Sequence, residues 1–473
     1  MRLLIISSLL LLVIFASCND DMITDLPQSS LPGDILDRLV TVDGSEQRPG
    51  QASVGETYLS EGDFVSSGIP RPIYDSSVGL LLSSSNLLNR DGINSDIPFD
   101  YTSVNAENGV EVVAPNCYQC HAGFVGDQFV VGLGNTAADF TSDQSGTNSL
   151  LSNLIQNTYG QPSPEWDAYY PFARAISAIG SQITTEIVGA NSADKLALVL
   201  AAHRDKDDLT WIDDPIYPIP TETIPADVPA WWLMSKKSVM FSTGIGRGDF
   251  AKMMMASSIL TLKDSTEARQ IEQQFIDVVE YISQLEAPQY PIEVDQSKAD
   301  NGLQLFKENC AVCHGSYEGN EEYTTYLVPQ EVIGTDANLA QSNFAYADFV
   351  DWFNFSWFGV SDSHTAEIVP GDGYIAPPLD GIWATAPYLH NGSVPHLSGV
   401  INSSDRPDYW SKSSDRNDYD IDNCSVVFTV ETTKVDRFTY DTSLTGYGNS
   451  GHTFGDHLTD TQRSDLLEYL KTL

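Results

Sequence analysis

One five-residue pattern occurs twice in the chain, as Cys117-Tyr118-Gln119-Cys120-His121 and as Cys310-Ala311-Val312-Cys313-His314. These units take four of the six cysteines and leave only Cys18 and Cys424. Cys-x-x-Cys-His is the attachment motif of c-type haem. Its two thiols lie about one helical turn apart, within reach of the vinyl groups on one porphyrin edge, and the adjacent histidine presents its imidazole to the iron. A redox dithiol has no need of the trailing histidine, and a zinc site needs further cysteines nearby. At this cysteine and histidine frequency one chance match per chain is on the order of 10⁻³, and two together on the order of 10⁻⁶. The chain is therefore expected to fold around two covalently bound c-type haems, with His121 and His314 as proximal ligands.

The N-terminus speaks to compartment. Arg2 precedes Leu3-Leu4-Ile5-Ile6 and the run Leu9 to Ile14, which ends in Phe15-Ala16-Ser17-Cys18. This reads as a lipoprotein signal peptide over 1–18, with Cys18 as the lipidated residue. Residues 19–55, rich in Asp, Ser, Gly and Pro, read as a flexible tether. No later stretch is long and apolar enough to span a bilayer, so the lipid anchor is the expected membrane attachment, in the periplasm or cell envelope. The 24 Lys+Arg stand against 65 Asp+Glu, a net charge of −41. Such a surface repels phosphate backbones and offers no basic patch to anionic lipid, which excludes nucleic-acid binding. It suits a basic redox partner better than an acidic one.

At 473 residues with 41% hydrophobic content, the chain is long enough for two packed domains. Gly302, Phe306 and Cys310 recur on one face of a helix leading into the second motif. Thr459 to Gln462 form a capping box, followed by Leu466, Leu467, Leu470 and Leu473 on one helical face. Val279-Glu280-Tyr281-Ile282-Ser283-Gln284-Leu285 echoes Leu467-Glu468-Tyr469-Leu470-Lys471-Thr472-Leu473, as if each closed a haem domain. The break Glu286 to Pro291 places the boundary, giving an N-terminal haem domain at 56–290 and a C-terminal cytochrome domain at 291–473. The first has no Gly-x-x-x-Phe helix directly before its motif. There Gly109 to Val113 reads as a strand, with helices expected at 192–203 and 266–286. The fold class is mainly α, with two cytochrome-c-like haem domains, long irregular loops and a few short strands.

No methionine lies beyond residue 255. A sixth ligand for the second haem must come from His364, His390, His396, His452 or His457, or be absent. His452, in a glycine-flanked loop before the closing helix, stands where a cytochrome returns a loop to the open haem face. For the first haem, His203 reads equally as a packed or capping residue, and Met253 to Met255 read as core. An open iron there is what peroxide or dioxygen needs.

The run Ala376-Pro377-Pro378-Leu379-Asp380-Gly381-Ile382-Trp383-Ala384-Thr385-Ala386-Pro387-Tyr388-Leu389-His390-Asn391-Gly392-Ser393-Val394-Pro395 resembles the dihaem cytochrome c peroxidase superfamily, and within it the branch of the bacterial rubber oxygenases. Asn116 to Gly123, Gly244 to Asp249 and Gly451 to Leu473 share in the resemblance, which spans roughly 90 to 473 and is patchy in the first domain. It implies that His452 is the distal ligand of the second haem. It implies a reaction centre at the haem on His121 and an electron relay at the haem on His314. It also implies a calcium ion held partly by the backbone oxygens of Thr385 and Pro387.

The chain lacks the Phe-Trp-Asp-Gly-Arg segment of typical peroxidases and the Gln and Glu beyond it that polarise peroxide, a task that needs an acid–base group near the iron. The residues available for a distal pocket are Trp231, Trp232, Phe241 and Arg247, mostly apolar around an Arg247–Asp249 ion pair. The expected function is a dihaem oxidoreductase, cytochrome c peroxidase-like, acting on peroxide or dioxygen at the N-terminal haem and exchanging electrons with a small redox protein. The alternatives are a rubber-oxygenase-like dioxygenase cleaving an apolar alkene, or a non-enzymatic electron-transfer lipoprotein.

Overall fold

The glycine-phenylalanine face of the segment before Cys310 dictates how the C-terminal half closes. In the computed structural model, which describes residues 33–82, 88–319 and 321–473, that segment is the helix Gln296–Asn309, capped by Asp295. It crosses the closing helix Asp460–Leu470, which starts with the expected capping box at Thr459 and Gln462. A Cβ at Gly302 would collide with the carbonyl oxygen of Asp465, so glycine lets the two backbones touch. One turn on, the rings of Phe306 and Tyr469 lie 5.2 Å apart. Phe306 and Leu466 are buried there, each contributing about 1.5–3 kcal/mol of apolar transfer energy.

The same device recurs upstream. Helix Ala52–Glu61 crosses helix Ser265–Ser283, and a Cβ at Gly55 would collide with the carbonyl oxygen of Asp277. Tyr58 and Phe64 both pack on Phe275, with ring centroids 6.2 and 5.7 Å away. The N-terminal half therefore has its own glycine-mediated crossing, but its leading helix sits far before Cys117.

This corrects the expected tether at 19–55. Its part before residue 33, with the signal segment and Cys18, lies outside the described residues. From Ile35 onward the chain is built into the body. Ile35, Leu39 and Val42 are buried, and Val40–Thr41 pairs antiparallel with Leu327 and Tyr326. Arg48 binds Asp249 at 2.7 Å and Glu272 at 2.9 Å, both carboxylates being nearly inaccessible. Composition suggested a loop because these polar groups find their partners more than 200 residues away.

The fold class also needs correction. The described residues are mixed rather than mainly α, 39% helical and 14% strand. Stretches without helical periodicity form antiparallel hairpins instead of open loops. Tyr101–Asn105 and Ile69–Pro70 flank Glu111–Pro115 in one sheet. Phe428–Glu431 and Thr439–Asp441 flank Tyr409–Lys412 in another. The expected helices at 192–203 and 266–286 are present as Ala193–Ala202 and Ser265–Ser283.

Two large apolar clusters organise the interior, and each draws on both sides of residue 290. The first joins Leu59, Tyr118, Trp231 and Phe275 with Trp352 and Phe358. The second joins Phe306, Trp383 and Leu466 with Leu133, Trp232 and Leu233.

Candidate haem sites

Both Cys-x-x-Cys-His units fold into the same turn. The His121 N–H donates to Cys117 O at 3.0 Å, and the His314 N–H to Cys310 O at 3.0 Å. Each unit is a single helical turn, Tyr118–His121 and Ala311–His314. What feeds them differs. The second motif leaves the helix through the Cys310 N–H bond to Phe306 O, 2.8 Å. The first is reached from the strand Glu111–Pro115 through Asn116. That buried amide donates to Phe99 O and to Thr102 Oγ1, both at 3.0 Å, and accepts from Tyr118 N at 2.9 Å. Asn116 thereby stitches the motif's first turn to the sheet.

Around the second motif the two expected ligands, His314 and His452, are brought together. His314 Nδ1 pairs with Pro377 O at 2.8 Å, which makes Nδ1 the protonated nitrogen and leaves Nε2 as the metal-facing one. The imidazole of His452 lies across from it, with ring centroids 6.3 Å apart. An axial imidazole has its ring centre about 3 Å from the metal, so two on opposite faces stand roughly 6 Å apart. The pair fits a shared iron. His314, His452, Cys310 and Cys313 line one cavity of about 280 Å³, walled mostly by apolar side chains. Burial pushes the His452 imidazole down to about 4, with His314 and Arg406 adding to the shift.

The loop that delivers His452 is unusually constrained. Gly451 and His452 both have positive φ, 73° and 45°, and a Cβ at Gly451 would strike the backbone of Gly334 and Thr335. The His452 N–H donates to Ile333 O at 2.8 Å. From the other side the Arg406 guanidinium donates to Asn449 O at 2.6 Å, Gly451 O at 2.7 Å and His452 O at 3.0 Å. Arg406 escaped the sequence reading because its acceptors are main-chain carbonyls, which carry no residue-type signature.

Of the other candidate histidines, His390 alone lines the cavity with His314 and His452. His396 caps the helix Leu397–Ile401 through Nδ1, which accepts from Gly399 N at 2.9 Å. His364 and His457 are exposed. His390 stacks on Tyr374 at 3.8 Å, with its Nε2 buried and without a partner. His203 ends its helix, pairs through Nδ1 with Ile212 O at 2.9 Å and stacks on Trp211. Met253 and Met255 are core residues.

At the first motif, His121 is held by stacking. Its ring lies 4.4 Å from that of Trp231 at an interplanar angle of 16°, while its buried Nδ1 has no hydrogen-bond partner. Asn191 Nδ2 donates to Cys120 Sγ at 3.3 Å. Burial raises the free thiols to about 12 at Cys117 and about 11 at Cys120, and depresses His121 to about 4.

The four distal candidates do not form one wall. Trp231 lies on the face of the proximal His121 itself. Trp232 donates from Nε1 to Asp380 O at 2.8 Å. Phe241, 39% exposed, and Arg247 belong to the hairpin closed by the Met240–Gly246 bridge. The expected Arg247–Asp249 pair is replaced, since Asp249 is paired by Arg48 through two 2.7 Å contacts and also accepts from Lys252 N at 2.8 Å. Arg247 sits opposite Glu367 in the strand pair Gly246–Gly248 with Ala366–Ile368.

Thr385 and Pro387, the expected calcium ligands, line the same cavity as His314. Among the described residues, no group of three or more His, Cys, Asp or Glu side chains is arranged to hold a metal ion. No described helix is long and apolar enough to cross a membrane.

Comparison with known proteins bears on this region. The chain is 31% identical over 236 residues to the uncharacterized protein y4iM of Sinorhizobium fredii (strain NBRC 101917 / NGR234), a match covering 41% of this chain and 53% of that protein. It is 37% identical over 111 residues to the uncharacterized protein y4iJ of the same strain, covering 21% of this chain and 18% of that one. The chain thus spans about half the length of the first relative and under a fifth of the second. Residues 373–411, which carry the Pro377 acceptor of His314 and the turn through Thr385 and His390, match the family model described as RoxA-like, cytochrome c-like.

Proposed function

We propose that the protein is an exported dihaem c-type cytochrome oxidoreductase, with an electron-relay haem on His314 and His452 and a reaction haem on His121. The observation that carries this reading is the facing pair His314 and His452, 6.3 Å between ring centroids, around a cavity lined by Cys310 and Cys313. When bound, haem supplies one-electron redox chemistry and, where a coordination position is open, binding of peroxide or dioxygen.

The chain's own groups divide the two sites. The Pro377 carbonyl fixes the His314 tautomer and makes that imidazole the more basic ligand. His121 lacks such an acceptor and is oriented by the indole of Trp231. With His203 tied to Ile212 O and Met253 and Met255 buried in the core, no described histidine or methionine is assigned to the second face of the His121 site. Beside His121 lies Trp231, which in turn packs against Tyr118. Together with the RoxA-like match at 373–411, they favour as a second reading dioxygen chemistry on an apolar alkene. Electrons would be exchanged with a small basic redox protein, given the net charge of −41. Membrane attachment would run through acyl chains on Cys18.

Electron paramagnetic resonance of the purified haem-loaded protein tests the reading. One low-spin bis-histidine signal beside one high-spin signal is expected, with His452→Ala converting the low-spin signal to high spin. Peroxide turnover and alkene-dependent oxygen uptake then separate the two chemistries. Two low-spin signals that persist on half-reduction would overturn the enzyme reading in favour of an electron carrier.

A further inference from the structure

Lys236 and Lys237 are neighbours with opposite fates. Lys236 binds Asp380 at 2.6 Å and Glu321 at 2.7 Å. Lys237 turns inward and lines the cavity that contains His314 and His452. The cavity lining is mostly apolar, with Leu233, Val328, Ile375 and Ala376 among it. Its Nζ reaches the Phe241 carbonyl at 3.5 Å, at the outer limit of a hydrogen bond. Burial alone acts on this ammonium, bringing it down to about 8, and no carboxylate offsets the cost. Asp227 lines the same cavity, yet burial pushes its carboxyl well up, toward the neutral form.

A half-buried cation that faces an apolar cavity without a counter-charge is costly. It is harder to account for in a chain with 65 acidic and only 24 basic residues, where carboxylates are plentiful. The economical explanation is that the anion arrives with the ligand. Haem carries two carboxylates on the edge opposite its thioether-forming vinyl groups. We propose that Lys237 is the counter-ion of a carboxylate of the haem held by Cys310, Cys313 and His314, and that it sets the reduction potential of that haem. This rests on the haem reading of the cavity given above. A positive charge paired inside an apolar wall favours the reduced iron, so its removal should favour the oxidised one.

The test uses the full-length, haem-loaded protein with Lys237→Gln, Lys237→Met and Lys237→Arg. Spectroelectrochemical titration of the low-spin haem should show the Gln and Met variants shifted toward the oxidised form by roughly tenfold in ratio at fixed potential, about 59 mV for a one-electron couple. Lys237→Arg should stay near wild type. The carboxylate bending band in the resonance Raman spectrum should move in the Gln and Met variants and not in Lys236→Gln. The Met variant keeps the aliphatic packing should Gln impair haem loading. An unmoved potential and an unmoved band in a variant that retains its low-spin signal would overturn the proposal. So would equal potential shifts in the Lys236 and Lys237 variants with no change in the band. A wild-type protein without the low-spin bis-histidine signal would instead refute the underlying site reading.

Discussion

At the residue scale, the second site depends on groups that hold His452 rather than on His452 alone. Arg406 gathers the carbonyls of Asn449, Gly451 and His452 in a loop whose backbone is already left-handed at Gly451 and His452. Replacing Arg406 with Gln leaves those carbonyls under-satisfied, at about 1–3 kcal/mol for the buried ones. The expected outcome is a mixed-spin C-terminal haem, seen as partial loss of the low-spin signal, with Lys a weaker substitute than Arg. His390 gives a second residue-level prediction. Burial lowers its imidazole from 6.5 to about 4, so between those values the unfolded chain binds more protons than the folded one. Its contribution to stability is complete above about pH 7 and is lost as pH falls from 6.5 toward 4, at a slope of at most about 1.4 kcal/mol per pH unit. Urea denaturation of wild type and His390→Phe across that window should show the slope reduced in the variant.

At the element scale, the two crossings are the framework on which the motifs hang. Gly302→Ala and Gly55→Ala each drive a methyl group onto a backbone carbonyl and should cost about 1–3 kcal/mol or more, measured by chemical denaturation. Gly146, in helix Ser145–Tyr159 with open space around its Cβ position, should tolerate alanine with no loss, because alanine favours helix. The second crossing was legible in the sequence because Gly302, Phe306 and Cys310 are one continuous helical face. The first was not, because Gly55 and Leu59 are separated from Cys117 by a sheet, and polar neighbours such as Arg48 gave the segment the composition of a linker. The missing methionines and the glycine-flanked loop made His452 one candidate among five histidines, and the family resemblance singled it out. The role of Trp231 was not legible, since residue type says nothing about whether an indole faces one side of a haem or the other.

For the whole molecule, the cores interlock across the middle of the chain. The C-terminal cluster includes Leu133, Trp232 and Leu233, and the N-terminal one includes Trp352 and Phe358. A fragment covering 291–473 would expose the partners of Trp232 and donate Trp352 to nothing. It should lack a cooperative thermal transition and fixed near-ultraviolet dichroism when produced alone, whereas a fragment that melts cooperatively would show the two halves to be independent.

The crossing at Gly55 also dictates a sequence of events during biogenesis. Gln51 N–H reaches the Asp277 carboxylate across 226 residues, so closing the N-terminal core joins distant parts of the chain, and closures of this span are slow. Once closed, the Cys117 and Cys120 thiols are held protonated, at about 12 and 11, and the thiolate is the nucleophilic form. On the haem reading of this motif, attachment through Cys117 and Cys120 belongs to the interval before the N-terminal core closes, and folding itself ends that interval.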